Sequence, residues 1–107
     1  MKPWRLTPQA EHSLTEIFIW TIEIFGERQA LTYQDVIIDR INMIANNQPP
    51  HPRPCAVLMP GPSVADDLTY FREGGHYIIL RETDKMVEVL DFLHQNSNLP
   101  AHIKRLI

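Results

Sequence analysis

Gly26 separates two stretches of helical periodicity that otherwise adjoin, and this join limits how the chain can fold. Thr7 and Pro8 favour a helix start, because a threonine hydroxyl caps a helix and proline at the first helical position gives up an amide that has no partner there. The periodicity runs to about Phe25, where glycine can adopt the left-handed conformation that ends a helix. A second helix is predicted over residues 27–45. So short a connection predicts an antiparallel helical hairpin.

The two helices differ in how much apolar surface they carry. One face of the first helix is predicted to lie in the core and comprises Ala10, Leu14, Ile17, Phe18, Thr21, Ile24 and Phe25. The corresponding core stripe of the second helix is Ala30, Tyr33, Ile37, Ile41 and Ile44. The polar face of the first helix carries His12, Glu16, Glu23 and Glu27. Ile19, Trp20 and Ile22 fall outside its core face, so they are surplus apolar surface for an isolated two-layer domain.

The rest of the chain has the pattern of strands around a proline-rich segment. Residues 1–7 alternate as a short first strand. Three further strands are predicted within residues 66–94, namely Asp67–Arg72, His76–Glu82 and Met86–Leu93. Residues 47–65 are predicted to be an extended crossing segment, and residues 95–107 a tail with at most a short helix. The predicted fold class is α+β in the order β-α-α-β-β-β, with the hairpin of residues 8–46 on one face of a small, mostly antiparallel sheet.

Length, charge and cysteine content narrow the class of protein. A chain of 107 residues is expected to form one domain, residues 1–107. Its net charge is -3 and it has no basic run, so direct nucleic-acid binding is not expected. The single cysteine, Cys55, excludes an internal disulfide. Neither a signal peptide nor a membrane helix is indicated, which favours a cytoplasmic domain without a membrane partner.

Few patterns indicate a bound cofactor. Gly74 and Gly75 lie in a predicted hairpin turn rather than between a strand and a helix, so a nucleotide-binding loop is not expected. The five histidines include no pair four residues apart on a helix. Neither a metal site nor another cofactor is therefore predicted.

The sequence contains side chains that are candidates for metal-free cleavage of RNA. It needs a general base, a general acid and cations on the phosphate. The candidate residues for these roles are Arg72, Arg81, Tyr77 and His94. They would form a site if the predicted strands bring their side chains together. The alternative is that the arginines are solvated and that His94 closes the last strand with a backbone hydrogen bond. This alternative is favoured by acidic residues among the cations, namely Glu73, Glu82, Glu88 and Asp91.

Several segments, taken together, resemble a known toxin family. They are Leu6-Thr7-Pro8-Gln9-Ala10-Glu11, Gly26-Glu27-Arg28-Gln29-Ala30, the stretch from Phe71 to Arg81, the stretch from Val87 to His94, and Leu99-Pro100. In this order they are similar to the ParE branch of the RelE/ParE toxin superfamily over nearly the whole chain. The resemblance implies a toxin of a type II toxin–antitoxin, or plasmid stabilisation, pair that inhibits DNA gyrase and is not an enzyme. It also implies a hetero-oligomer with a ParD-like antitoxin, which has a ribbon-helix-helix part and a flexible C-terminal segment that wraps the toxin.

The chain departs from these relatives near its C-terminal end. Asp91 stands where ParE-like sequences often carry a basic residue, and polar Gln95, Asn96 and Asn98 replace the usual Arg and Asp of the following loop. Asn96 falls near the position where some RNA-cleaving relatives have a catalytic histidine. A general acid is therefore lacking there, which favours a protein without nuclease activity.

The surplus apolar residues of the first helix predict an antitoxin-binding site. Ile19, Trp20 and Ile22 would form a groove for an antitoxin helix, and an exposed sheet edge would accept an antitoxin strand. The acidic neighbours of this groove would be met by a basic antitoxin segment. The alternative is that Trp20 packs beneath the proline-rich segment and that Ile22 borders the core.

Three functions stay open at the level of sequence. The first is gyrase inhibition, with Arg72, Arg81 and His94 as the expected target-binding residues. The second is a ribosome-dependent mRNA interferase of the RelE type. The third is an inactive toxin fold that only binds an antitoxin.

Overall fold

The computed structural model of the protein describes residues 2–59 and 67–106. Its elements in chain order are β1 (Trp4–Leu6), α1 (Pro8–Phe25), α2 (Glu27–Ala45), β2 (Arg53–Pro54), a 3-10 turn (Cys55–Leu58), β3 (Leu68–Glu73), β4 (His76–Glu82), β5 (Val87–His94) and α3 (Leu99–Leu106). The strands form one sheet in the order β1-β5-β4-β3-β2. Strand β1 runs parallel to β5, and the other neighbouring pairs are antiparallel. The predicted α+β fold class is confirmed.

The ends of the helical hairpin follow from local chemistry. The Thr7 hydroxyl accepts a hydrogen bond from the Ala10 amide at 3.1 Å and so caps α1, as predicted. Gly26 joins the helices with φ of 92° and ψ of 167°, a backbone conformation that is essentially restricted to glycine. The Gly26 amide donates to the Ile22 carbonyl at 2.9 Å. The predicted bounds of both helices are confirmed.

The sheet has a hydrophobic core on each face. Between the hairpin and the sheet lie buried residues of α1, α2, β4 and β5, among them Ala10, Ile37, Ile41, Ile78 and Val89. The opposite face carries a second core of Cys55, Leu68, Ile79, Leu90, Leu93 and Ile103. The 3-10 turn and α3 cover this second face. The sequence predicted the first layer alone, because nothing in the local pattern shows where the 3-10 turn and the C-terminal tail pack.

The end of α1 differs from the prediction. Ile24 and Phe25, which the periodicity assigns to the core, are 57% and 62% exposed. Thr21 is the last buried residue of the helix. A helical stripe is buried only where another element lies against it, and the last turn of α1 has too little beside it to cover these two side chains. The assignment of Ile24 and Phe25 to the core is therefore wrong.

The proline-rich segment is more structured than predicted. Arg53 and Pro54 pair with Tyr70 and Thr69 at the edge of the sheet, where proline is tolerated because an edge strand has hydrogen-bonding partners on one side alone. The 3-10 turn follows at once and buries Cys55. The last prolines of the predicted crossing segment, Pro60 and Pro62, lie outside the described residues.

Candidate protein-binding site

The C-terminal half of α1 carries an exposed apolar surface. Ile19, Trp20 and Ile22 are 45%, 49% and 36% exposed, and the surface continues through Ile24 and Phe25. The rings of Trp20 and Phe25 meet edge to face with their centroids 6.0 Å apart. We call these five residues the α1 apolar surface. This surface has two more residues than predicted, namely Ile24 and Phe25, which the sequence pattern wrongly assigned to the core.

Acidic residues divide the α1 apolar surface into two strips. Ile19 and Ile22, three residues apart, share one side of the helix, and Trp20 and Ile24, four residues apart, share another. Glu23 lies between the two strips at helical spacing. A partner that covers both strips therefore meets a carboxylate between them, which favours a partner segment with apolar anchors and a basic side chain.

Arg72 and Tyr77 are brought together on the sheet face that points away from the helical hairpin. They are cross-strand neighbours, and the Arg72 guanidinium lies 6.0 Å from the centre of the Tyr77 ring. Arg72 donates to the Gly74 carbonyl at 3.3 Å and to the Gln95 side-chain carbonyl. The pair lines an open groove of about 320 Å³ that also contains Arg53 and Tyr70.

Arg81 lies at the other end of the same hairpin. It is opposite Leu68, so it is separated from Arg72 by about 13 Å along the strand. Its guanidinium pairs with the Asp67 carboxylate at 2.9 Å. Arg81 therefore lies apart from the groove around Arg72 and Tyr77.

His94 lies on the face of the sheet that carries the helical hairpin. Its ring meets that of His76 edge to face at 5.5 Å, and His76 in turn contacts the Tyr33 hydroxyl of α2 at 2.7 Å. The Nδ1 atom of His94 accepts a hydrogen bond from the Asn96 amide at 3.1 Å. The three predicted target-binding residues are thus spread over both sheet faces, and the four candidates for RNA cleavage do not converge.

A buried network holds α2 to the β3–β4 turn beside His94. The Tyr33 hydroxyl lies 3.1 Å from the Glu73 carbonyl, 3.2 Å from the Gly75 amide and 2.7 Å from His76 Nδ1. All three contacts are satisfied when His76 and Gly75 donate to Tyr33 and Tyr33 donates to Glu73. Burial, together with neighbouring His94, lowers the pKa of His76 to about 4. His76 is therefore neutral near pH 7.

The burial of Asp91 is a second point at which the structure differs from the sequence pattern. Its position in the sequence groups it with the acidic residues among the cations of the strands, but in the structure it is only 8% exposed. A register shift next to Ile79 and Leu80 inserts Leu90 as an extra residue in β5. The Asp91 carboxylate accepts hydrogen bonds from the Ser13 hydroxyl at 2.5 Å and from the Phe92 amide at 2.8 Å. The aspartate thus ties α1 to β5.

Comparisons with known proteins identify the family. Residues 4–99 match the sequence model of the family described as ParE toxin of type II toxin-antitoxin system, parDE. The chain belongs to this family. It is also similar to Toxin ParE1 of Caulobacter vibrioides, with 29% identity over 103 residues that cover 96% of this chain and 99% of the relative. The resemblance to ParE toxins seen in the sequence is therefore confirmed.

A solved structure supports the same fold. The chain matches a structure titled Chromosomal ParDE TA system from P. aeruginosa with a TM-score of 0.67 and 17% identity, over 88% of this chain and 96% of the other. The part of the chain matched by the ParE family model contains the helical hairpin and all five strands. Among the described helices, none is both long and apolar enough to span a membrane.

Proposed function

We propose that this ParE-family chain binds and inhibits DNA gyrase without catalysing a reaction, and that a ParD-like antitoxin neutralises it by covering the α1 apolar surface. The observation that carries the antitoxin part is the exposed cluster of Trp20, Ile24 and Phe25 beside Ile19 and Ile22. Apolar residues of this size seldom lie contiguously on the surface of a monomer without a partner. Trp20 is suited to be an anchor, because a large ring contributes much contact area in a partner pocket.

The placement of the polar candidates supports a non-enzymatic toxin. A cleavage site needs its acid, base and phosphate-binding cations around one reacting centre. Here Arg72 and Tyr77 share a groove, Arg81 is paired with Asp67, and His94 occupies the other face of the sheet. These separate polar surfaces are better suited to contact a protein, and Arg72 with its uncovered groove is the first candidate for contact with gyrase.

A supercoiling assay tests the proposed target. Purified toxin added to gyrase, ATP and relaxed plasmid should block supercoiling and increase the amount of cleaved DNA. Arg72→Gln should weaken that inhibition, whereas Arg5→Gln, which removes one exposed cation that is already paired with Glu88, should leave it unchanged. Full supercoiling in the presence of excess folded toxin would overturn the gyrase assignment.

Two further assays separate the alternative functions. Translating ribosomes incubated with the toxin should yield intact messenger RNA, and cleaved message would instead assign an interferase of the RelE type. Induced expression without antitoxin should arrest growth. Unaffected growth with normal levels of folded protein would instead assign an inactive module that only binds antitoxin.

A further inference from the structure

A groove that includes Asp91 in its lining lies between α1, the end of β5 and α3. It has a volume of about 620 Å³, and its polar lining includes Gln9, Ser13, Asp91, His94, His102 and Arg105. We call it the Asp91 groove. Asp91 is more than nine-tenths buried, yet it lines this open space.

The hydrogen bonds of Asp91 leave one of its oxygens available. Both donors to the carboxylate, the Ser13 hydroxyl and the Phe92 amide, bind the same atom, Oδ1. Within residues 2–59 and 67–106, no hydrogen bond to Oδ2 and no ion pair to Asp91 is present. Other carboxylates on the sheet, those of Glu73, Glu82 and Glu88, are each paired with a cation. A mostly buried carboxylate that faces a groove and has no ion pair among the described residues favours a cationic ligand, because a charge removed from water needs a partner.

The surroundings of Asp91 favour a side chain over a metal ion. The described residues contain no group of three or more His, Cys, Asp or Glu placed to hold a metal. The lining of the groove also includes the apolar residues Leu93 and Leu106, which offer a surface for the aliphatic part of a lysine or arginine. The groove also has room for the backbone that would carry such a side chain.

The groove and part of the α1 apolar surface lie along the same side of α1. Gln9, Ser13, Trp20 and Ile24 fall on one side of α1 at helical spacing. Ser13 and Trp20 are seven residues apart, which is about 10 Å along the helix. One polypeptide segment that lies along this side can therefore cover Trp20 and Ile24 and also reach Asp91.

We propose that the Asp91 groove binds a lysine or arginine side chain of a partner polypeptide. This proposal extends the proposed antitoxin binding. It rests on that function in one respect, namely that the antitoxin is the polypeptide that supplies the cation. Because the carboxylate is held in place by Ser13 and Phe92, it discriminates partners with a basic residue at this position from partners without one.

Nuclear magnetic resonance with a small probe tests the groove directly. Blocked arginine, N-acetyl-arginine-N-methylamide, is titrated into the full-length toxin, and the amide signal of Phe92 is followed because this amide is hydrogen-bonded to Asp91. We expect saturable shifts at Phe92 and its neighbours. The analogous citrulline probe, which has the same shape without the charge, should bind about tenfold more weakly or less.

Matched variants separate a specific site from general attraction. Asp91→Asn preserves the size of the side chain and an acceptor for Ser13 and Phe92, and it should weaken arginine binding about tenfold or more. Glu88→Gln changes the net charge equally on a side chain paired with Arg5, and it should leave binding unchanged. Arg105→Gln removes a positive charge from the lining of the groove and should strengthen binding of the arginine probe.

Three results would overturn the proposal. The first is an absence of saturable shifts in the unaltered toxin. The second is equal binding of the two probes or equal binding to the Asp91→Asn protein, provided its spectrum elsewhere shows that it is folded. The third is arginine binding that appears only in Arg105→Gln, which would make Arg105 the resident partner of Asp91. Each leaves the supercoiling and antitoxin assays as separate tests of the proposed function.

Discussion

The close approach of Gly74 to Tyr33 shows how one residue can hold two elements together. Gly74 has φ of 59°, and a Cβ atom there would lie 2.7 Å from Tyr33 Cε1 and 2.9 Å from the Tyr33 hydroxyl oxygen. The ring cannot move away at low cost, because its hydroxyl contacts Glu73, Gly75 and His76. Glycine is therefore required at this position because the backbone has a positive φ and because the Tyr33 ring leaves no room for a Cβ atom.

Gly74→Ala should lower the free energy of unfolding by about 2–4 kcal/mol, the combined effect of a strained φ and overpacking. Gly75→Ala is the matched control, since its Cβ would meet only Gln95 Nε2 at 3.9 Å. The control should stay within about 1 kcal/mol of the parent protein. Urea denaturation followed by circular dichroism compares the two. Equal losses would mean that the turn, not the contact with Tyr33, sets the cost.

His76 makes the stability of the fold depend on pH. Its pKa is about 4 in the folded protein because of burial and the neighbouring His94, against about 6.5 when unfolded. Between these values the unfolded chain binds a proton that the folded chain does not. The free energy of unfolding should therefore fall as the pH falls from 6.5 to 4, by about 3 kcal/mol from this group.

His76→Gln removes this titration while keeping a polar side chain beside Tyr33. Denaturation at several pH values should give a shallower decline for the variant than for the parent protein across this window. Contributions from titratable groups that do not interact with His76 are shared by both proteins and cancel in the comparison. Parallel curves would show that His76 protonates as easily in the folded protein as in the unfolded chain.

At the scale of elements, the sheet is covered on both faces. The helical hairpin packs on one face, and α3 and the 3-10 turn pack on the other. Ile103 is fully buried in the second core with Leu68 and Ile79, although it lies in a tail whose sequence predicted at most a short helix. This helix is short, so the spacing of its apolar residues alone does not predict that it packs against the sheet. Contact with the sheet stabilises it.

Ile103→Ala should lower the free energy of unfolding by about 2–4 kcal/mol, because it removes buried methyl groups and leaves a cavity between α3 and the sheet. Lys104→Ala alters the exposed neighbour on the same helix and should change stability by less than about 0.5 kcal/mol. Chemical denaturation measures both. An effect of Ile103→Ala as small as that of the control would indicate that α3 contributes little to the second core.

At the scale of the whole molecule, α1 connects the features that are proposed to bind partners. Its N-terminal half contributes Ser13 to the Asp91 groove, and its C-terminal half exposes Trp20 and Phe25. The groove around Arg72 lies on the other face of the sheet. An antitoxin bound along α1 would therefore leave the Arg72 groove open unless a further segment of the antitoxin wraps around the sheet.

Trp20→Ala should weaken antitoxin binding by about 2 kcal/mol or more, as loss of an aromatic anchor does in many interfaces. Because Trp20 is half exposed, the variant should keep its fold, which a thermal melt checks. Leu31→Ala removes a similarly exposed apolar side chain on α2 and should leave the affinity nearly unchanged. Calorimetric titration with the cognate antitoxin measures all three proteins. Unchanged affinity in Trp20→Ala would place the antitoxin on another surface.

Whereas the family resemblance rests on several short segments in order along the chain, local chemistry alone determined both hairpin helices with their caps and the three-strand meander within one or two residues. These features depend on periodicity and turn residues that act over a few positions. Tertiary structure alone decided that Ile24 and Phe25 are exposed, that Asp91 is buried against Ser13, and that Arg72 and His94 lie on opposite sheet faces. Each of these depends on strand register and on which distant segment covers a surface, and neither is encoded in a local pattern.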